Sequence, residues 1–537
     1  MRRFAASAKA WVAALGLMAI AFVFAWRTTR DLAWPNEHDL YREMASAQSL
    51  LREGYGHDPC YLGERTWYNP LTHIALAVFQ RVTGWELSAA TARAGAFLNL
   101  LGPVSFFLMA MRLLGRRRAV MALVSYLFCI GGSFPSWSAA TYSPWLYPVN
   151  FAQGFFYLLI FQLAALRDRP PGWGWALVTG CLWGLCFLAH TAPALLFGAI
   201  LAALVIVRGI RVGSAAFRHG MIAALAMAVG FVIVIFPYAA SIVGHYSLRI
   251  VNPIPNGYVP DFLGYRHIPF MLARHIEPPV LVVWVGLFLV VRGRAAPFVR
   301  ALLLAWFSLA AAYLAYGYAV AGVAKLGLHW PLIIPSYHAL FYLKASFSPL
   351  FAIGIDALAR GAVARLKPAW EPARRARWSQ RGAIAACCLV AVGTMPQYFN
   401  RYDYSRARAE ALGHGAESDR IALYRWVREN AGPRDVFLAS DDMGLFAVAV
   451  AGSKTLVVDP YLSNPYVDWT PRNSARRQLF DALAAGDREG FLAGAREWNI
   501  SHVVVETEGF PAATRPDDAP LEDVWSAGTL RVYRIQP

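Results

Sequence analysis

The stretch AWVAALGLMAIAFVFAW, running from Ala10 to Trp26, carries no charge and follows Arg2, Arg3 and Lys9. No small-residue cleavage site separates it from the polar segment that comes next, so it reads as an uncleaved first membrane span. Ten residues further on the chain presents Asn36-Glu37-His38-Asp39-Leu40-Tyr41. An apolar span delivering an acidic cluster to the far side of a bilayer is the pattern from which the fold follows. The composition agrees. The 537 residues are 57% hydrophobic and only 15% charged, against about 45–50% and about 25% for an average soluble domain. Disordered, collagenous and disulfide-scaffold classes are excluded.

The net charge of +17 raises the question of nucleic acid, and its distribution answers it. Residues 401–537 hold 16 basic and 20 acidic residues, so a net +21 belongs to residues 1–400. There it falls in short clusters between apolar runs, which is how a polytopic membrane protein marks its cytoplasmic loops. No nucleic acid partner is expected; the lipid bilayer is. Five of the six cysteines, Cys129, Cys181, Cys186, Cys387 and Cys388, sit inside apolar runs, and Cys60 stands alone in a polar one. They offer neither a disulfide framework nor zinc-ligand spacing.

Further spans are expected near 93–113, 119–135, 149–166, 175–189, 192–207, 221–243, 279–291, 298–320, 337–357 and 382–395, about eleven in all. The apolar stretch Pro70 to Val82 is left out, because it is about a dozen residues long and contains His73 and Arg81. With that stretch on the surface, the groups Arg112/Arg116/Arg117/Arg118, Arg167/Arg169, Arg208/Arg211/Arg218, Arg292/Arg294/Arg300 and the loop Arg360 to Arg381 all fall on the N-terminal side. The fold class expected is therefore a polytopic α-helical membrane protein with a C-terminal extracytoplasmic α/β domain. Residues 1–399 form the transmembrane domain, with outer loops 27–92, 244–278 and 321–336, and residues 400–537 the soluble one. The N-terminus is cytoplasmic, and the location is a bacterial inner membrane.

The soluble part alternates helix and strand. Ile421 to Asn430 reads as a helix, Asp435 to Ser440 as a strand, Gly444 to Ala451 as a short helix and Lys454 to Asp459 as a second strand. One or two helices over Ser474 to Trp498, a strand at His502 to Glu506 and a hairpin over Val524 to Ile535 turning at Gly528 complete a small, largely parallel sheet. Glycine-rich nucleotide motifs are missing from it.

Seven of the 13 acidic residues before Arg401 lie between Asp31 and Glu64, so the first outer loop is the acidic centre of the membrane half. Leu40, Met44, Ala47 and Leu51 repeat at helical spacing after the Glu37-His38-Asp39 tripeptide, with Arg42, Glu43, Arg52 and Glu53 on the charged side, which predicts an amphipathic helix at the interface. Two carboxylates at its start can serve as general base and helper. Asp39 is equally a good helix N-cap.

Taken in order, this acidic motif, Trp67-Tyr68-Asn69-Pro70-Leu71, Ala92-Arg93-Ala94-Gly95, Leu188-Ala189-His190-Thr191-Ala192-Pro193 and Tyr337-His338-Ala339-Leu340-Phe341-Tyr342 resemble the GT-C glycosyltransferase superfamily over most of the chain. The resemblance implies an integral-membrane enzyme that takes a sugar from a polyprenyl-phosphate donor and passes it to a glycan, lipid or protein acceptor at the outer face, with inversion. It implies that Asp39, or Glu37 beside it, is the catalytic base. The leaving phosphate needs fixed cations. Lys344 is the first candidate, because a charge just inside a span is costly unless it faces a cavity or partner; Arg274 and Arg266 in the second outer loop are others. His73, His190 and His338 can bond sugar hydroxyls or phosphate, and Tyr41 and Tyr68 can stack on a sugar face. No cofactor is expected, although Glu37, His38 and Asp39 offer ligands to a divalent ion whose shell nothing else completes. The alternative is a transporter or flippase of a lipid-linked saccharide, against which stand the lack of an internal repeat and the crowding of ionisable residues at the outer edge.

Overall fold

The structure, a computed structural model, describes residues 2–129, 141–165, 172–252, 254, 277–324, 326–328, 330, 334–394, 404–506 and 521–536. Six described helices are long and apolar enough to cross a membrane: Ala8–Thr29, Leu87–Leu114, Thr191–Val212, Ser214–Tyr246, Pro297–Ala324 and Ser336–Leu366. Shorter apolar helices occupy Pro148–Ala164, Trp173–Ala189 and Pro278–Val291. The polytopic helical membrane architecture with a C-terminal sheet is therefore what the chain adopts. The helix Leu71–Thr83 has 13 residues, too few to span. The apolar half of Pro372–Thr394 follows a first half carrying Arg374, Arg375, Arg377 and Arg381.

The chain divides into two compact units. The first comprises Met1–Arg30, Gly95–Phe236 and Val259–Arg406. At its centre runs the helix Ala339–Leu366, buried at every residue from Ala339 to Asp356. It packs against the helices Pro278–Val291, Pro297–Ala324 and Pro372–Thr394. The first of these contacts is backbone to backbone: a Cβ on Gly286 would lie 1.9 Å from the Leu350 carbonyl oxygen, and one on Gly354 would lie 2.2 Å from that of Val282. In lipid, where burial of apolar surface does not drive helices together, small residues at a crossing supply the dispersion contact instead. The buried stretch ends on a charge. The Asp356 carboxylate accepts hydrogen bonds from Arg117 at 2.7 Å, Arg118 at 2.8 and 2.9 Å and Arg360 at 2.8 Å, so two of the basic groups read as lying on one side of the bilayer share a single anion. From His338 to Asp356 the helix rises about 27 Å, close to the ~30 Å hydrocarbon thickness of a bilayer.

The second unit comprises Asp31–Ala94, Pro237–Tyr258 and Ala407–Pro537. Its five-stranded sheet has the order β2-β1-β3-β5-β4, with β1 at Val436–Leu438, β2 at Lys454–Thr455, β3 at Ile500–Glu506, β4 at Leu521–Ala527 and β5 at Leu530–Ile535. The four pairings divide by type: β2–β1 and β1–β3 are parallel, whereas β3–β5 and β5–β4 are antiparallel. The sheet is mixed rather than largely parallel, because the terminal hairpin adds to β3 as a unit around the left-handed turn at Gly528 (φ +54). Strand β2 is also shorter than the predicted 454–459. Helices Trp469–Ala485 and Arg488–Glu497 cover one face with Leu479, Phe491 and Ala495.

Residues 31–94 join this sheet rather than forming a free loop. Lys454 is 2% exposed, and its Nζ donates to Glu53 Oε1 at 2.5 Å and to the Asp58 carbonyl at 2.7 Å. The Thr455 N–H donates to the Cys60 carbonyl at 2.8 Å, so the outer edge of β2 is covered by residues 58–60, as an unprotected edge strand requires. The helix His38–Glu53 does not present its apolar face to lipid as an interfacial helix would. Leu40, Met44 and Ala47 are fully buried, and the helix packs on Leu71–Thr83 and on residues 444–451.

In β3, His502 is 4% exposed, lies flat on Phe437 at 4.7 Å and 13°, and reaches Ser501 Oγ through Nδ1 at 2.9 Å. Burial holds this imidazole below its ordinary titration range. The unfolded chain therefore binds a proton, below about pH 6.5, that the folded sheet resists, and stability falls as pH drops through that value. The apparent melting temperature of the detergent-solubilised protein is expected to fall between pH 7.5 and 5.5, and to fall less in His502→Phe. An equal fall in both proteins would show that another group sets the dependence.

Candidate active site

Extended backbone at Glu37 (φ −154, ψ 166) starts the helix at His38, and the Glu37 side chain makes no capping bond. Asp39 thus lies in the first turn, where the helix dipole favours a carboxylate. It is not the N-cap. Its side chain is 52% exposed, with Oδ1 3.3 Å from Arg42 Nη2. His38 points to the sheet side of the unit, its Nδ1 3.9 Å from Asp442 Oδ1, and Asp442 is held by Arg420 at 2.8 Å. The acidic pair after β1 therefore adjoins the tripeptide: Asp441 pairs with Arg476 at 3.3 Å, and Asp442 faces His38. Among the described residues, no group of three or more His, Cys, Asp or Glu is placed to hold a metal ion.

Four residues after Asp39, on the same helix, the environment inverts. Glu43 is fully buried, its Oε2 2.6 Å from His73 Nε2 and its Oε1 3.2 Å from Arg42 Nη2. Burial alone would raise this carboxyl; His73 and Arg42 outweigh it and hold the group below the ordinary carboxylate range. His73 is 4% exposed. The Arg42 guanidinium lies over the Tyr68 ring at 4.2 Å, and Tyr68 faces His73 at 5.8 Å. Tyr41, by contrast, is buried among Trp34, Phe446 and His414, with its hydroxyl 2.6 Å from His414 Nδ1. Its ring faces are taken up by packing.

Beside Arg42 and Tyr68 opens a tight crevice lined also by Trp67, Asp58 and Asn464. The buried Asp58 Oδ1 accepts the N–H groups of Cys60 at 2.8 Å and Tyr61 at 2.9 Å, and Oδ2 accepts Asn464 Nδ2 at 2.9 Å. Burial raises its carboxyl above the usual value, and these donors together with Lys454 offset that only in part.

In the other unit, His190 and His338 meet with ring centroids 4.6 Å apart, although 148 positions separate them. Each stands immediately before a long helix, Thr191–Val212 and Ala339–Leu366, and the His190 side chain caps its own. His190 Nδ1 accepts the Ala192 N–H at 3.2 Å, whereas His338 Nδ1 lies 2.9 Å from the Pro335 carbonyl and must donate to it, which fixes opposite roles for the two Nδ1 atoms. Lys344, 2% exposed, sits in the second turn after His338. Arg266 and Arg274 lie outside the described residues.

The sequence reading passed over Arg42, Glu43, Asp58 and Asn464 as site residues. A signal existed for one of them: Glu43 falls three residues after Leu40 and four before Ala47, a carboxylate within the apolar stripe.

No protein-family model and no curated protein sequence matches the chain. Its fold is similar to those of three solved transferase structures. ArnT from Cupriavidus metallidurans bound to undecaprenyl phosphate is similar over 98% of both chains at 13% identity, with a TM-score of 0.57. The Archaeoglobus fulgidus oligosaccharyltransferase tethered with an acceptor peptide is similar over 92% of this chain and 69% of its own, at 14% identity and a TM-score of 0.54. The mycobacterial arabinofuranosyltransferase AftD is similar over 98% of this chain and 40% of its own, at 14% identity and a TM-score of 0.55. At these identities the likeness is one of fold.

Asp58→Ala leaves the buried Cys60 and Tyr61 N–H groups without an acceptor, each costing about 1–3 kcal/mol, and leaves Asn464 Nδ2 with the Tyr246 hydroxyl as its remaining acceptor. The variant should melt well below the wild type, with Asp58→Asn intermediate. Combined with Asn464→Ala, the loss should be less than additive, as thermal unfolding in detergent would show; full additivity would separate the two residues.

Proposed function

We propose that the chain is a membrane glycosyltransferase that moves a sugar from a polyprenyl-phosphate donor to a glycan, lipid or protein acceptor at the outer face of a bacterial cytoplasmic membrane. In this reading residues 1–399 are the bilayer part, 400–537 lie outside, and the N-terminus is cytoplasmic. Asp39 removes the proton of the acceptor hydroxyl. The acceptor oxygen bonds to the anomeric carbon as the bond from that carbon to the phosphate oxygen breaks, so the configuration inverts and polyprenyl phosphate leaves.

The observation that carries the reading is the contrast between two carboxylates on one helix. Asp39 is half exposed and pairs with Arg42, while Glu43 is sealed between Arg42 and His73. Groups of one type pushed into opposite environments mark a division of labour, and Asp39 is the one a hydroxyl can reach. Glu37, beside it, is the second candidate for the base. For the phosphate, Lys344 with His190 and His338 supplies one cation and two imidazoles at the start of a long helix, where anions are favoured. The fold likeness to ArnT, which is bound to undecaprenyl phosphate, supports a polyprenyl-phosphate ligand.

Full-length protein in detergent is to be offered a panel of undecaprenyl-phosphate pentoses and hexoses, with release of undecaprenyl phosphate as the readout. Asp39→Asn should lose about 10²–10⁴-fold in kcat and Glu37→Gln far less. Lys344→Met should weaken kcat/KM while Asp39 remains intact. Full turnover by Asp39→Asn would overturn the assignment of the base, and movement of the lipid-linked sugar without release of undecaprenyl phosphate would replace the enzyme by a transporter.

A further inference from the structure

The cluster beneath Asp39 has a direction. At its closed end, His73 from the helix Leu71–Thr83 meets Glu43 at 2.6 Å, with the two side chains 4% and 0% exposed. An ionised carboxylate in such a place costs several kcal/mol unless its oxygens face compensating groups, and here Oε1 accepts a hydrogen bond from Arg42 at 3.2 Å while Oε2 lies against His73 Nε2. At the open end, the same Arg42 Nη2 atom lies 3.3 Å from Asp39 Oδ1. Tyr68 closes the flat side of the guanidinium at 4.2 Å, and the Arg42 side chain is only 12% exposed. Its position is thus determined by Glu43 and Tyr68 before Asp39 is considered.

An exposed arginine paired with an exposed aspartate contributes little, because two flexible chains must be ordered to make the contact. Arg42 is already ordered by Glu43 and Tyr68, so only the Asp39 carboxylate, with few rotamers to lose, remains to be fixed. The remainder of that carboxylate stays open to solvent.

On the reading that Asp39 is the base, we infer that Arg42 is its positioning residue, and that the buried Glu43–His73 pair sets where Arg42 holds it. The order His73, Glu43, Arg42, Asp39 runs from the interior of the unit to its surface, through contacts of 2.6, 3.2 and 3.3 Å. Glu43 and His73 act at a distance from the reacting atoms; Arg42 acts on the carboxylate itself. A base shifted by 1 Å loses about 10²-fold in rate, so the network has enough leverage to matter.

Two readouts on the full-length protein test this. The first needs no substrate: the rate at which a water-soluble carbodiimide with glycine ethyl ester labels Asp39, located by peptide mass spectrometry. Labelling is expected to rise at least several-fold in Arg42→Ala, and also in Glu43→Gln and His73→Gln, which do not touch Asp39. Unchanged labelling in folded Glu43→Gln and His73→Gln would overturn the inference; if Glu43→Gln fails to fold, His73→Gln decides alone. The second readout is turnover with the undecaprenyl-phosphate panel. Arg42→Ala should lose about 10–100-fold in kcat with donor KM within about threefold, and both Arg42→Lys and free guanidinium added to Arg42→Ala should restore part of it. A purely structural arginine would show no guanidinium rescue, which would overturn the inference. Turnover retained by Asp39→Asn with labelling altered as expected would instead overturn the reading of the base and leave the network standing.

Discussion

An ammonium group sealed inside a sheet edge must find anions and carbonyls within reach, and for Lys454 these come from Glu53 and Asp58, some 400 residues earlier in the chain. That requirement organises the second unit. It draws the end of the helix His38–Glu53 onto β2, brings the Cys60 carbonyl to the Thr455 N–H, and sets Asp58 where Asn464 and two backbone N–H groups satisfy it. A segment that hydropathy describes as an outer loop of the membrane half thereby acquires the rigidity of a sheet. On the reading that Asp39 is a base, that rigidity is useful, since a base depends on where it is held.

Packing has also sorted the acidic residues of that segment by role. Glu43, Asp58 and Glu53 are consumed in internal pairing, and Asp39 is left partly open. Selectivity of this kind follows from the cost of burial: a carboxylate withdrawn from water must have its oxygens engaged, so the buried ones take the available cations and N–H groups. In the membrane unit the same economy operates at both ends of one helix. Three arginines converge on Asp356 at one end, and two histidines and Lys344 gather at the other.

Much of the architecture could be read from the chain. The first span, the short helix at Leu71–Thr83 that does not cross, the strands near Val436 and His502 and the hairpin at Gly528 all follow from hydrophobic runs of characteristic length and from turn residues. The amphipathic stripe from Leu40 to Leu51 was legible as a helix but misread as lying in the interface, because an apolar face looks the same whether lipid or residues 444–451 will cover it. The mixed character of the sheet was missed for a related reason: alternation of helices and strands sets a parallel tendency, but which edge a terminal hairpin joins depends on partners elsewhere.

Sequence by itself determined what is local: apolar length, periodicity, charge asymmetry between the two parts of the chain, and the presence of carboxylates just beyond the first span. Only the tertiary structure decided which carboxylates are sealed and which is open. Asp39 and Glu43 stand one helical turn apart and are chemically almost alike. What separates them is the arrival of His73 from another helix, a contact whose energy no neighbour in the chain encodes. The pairing of His190 with His338 is of the same kind, since two helix starts 148 residues apart meet only when the bundle closes.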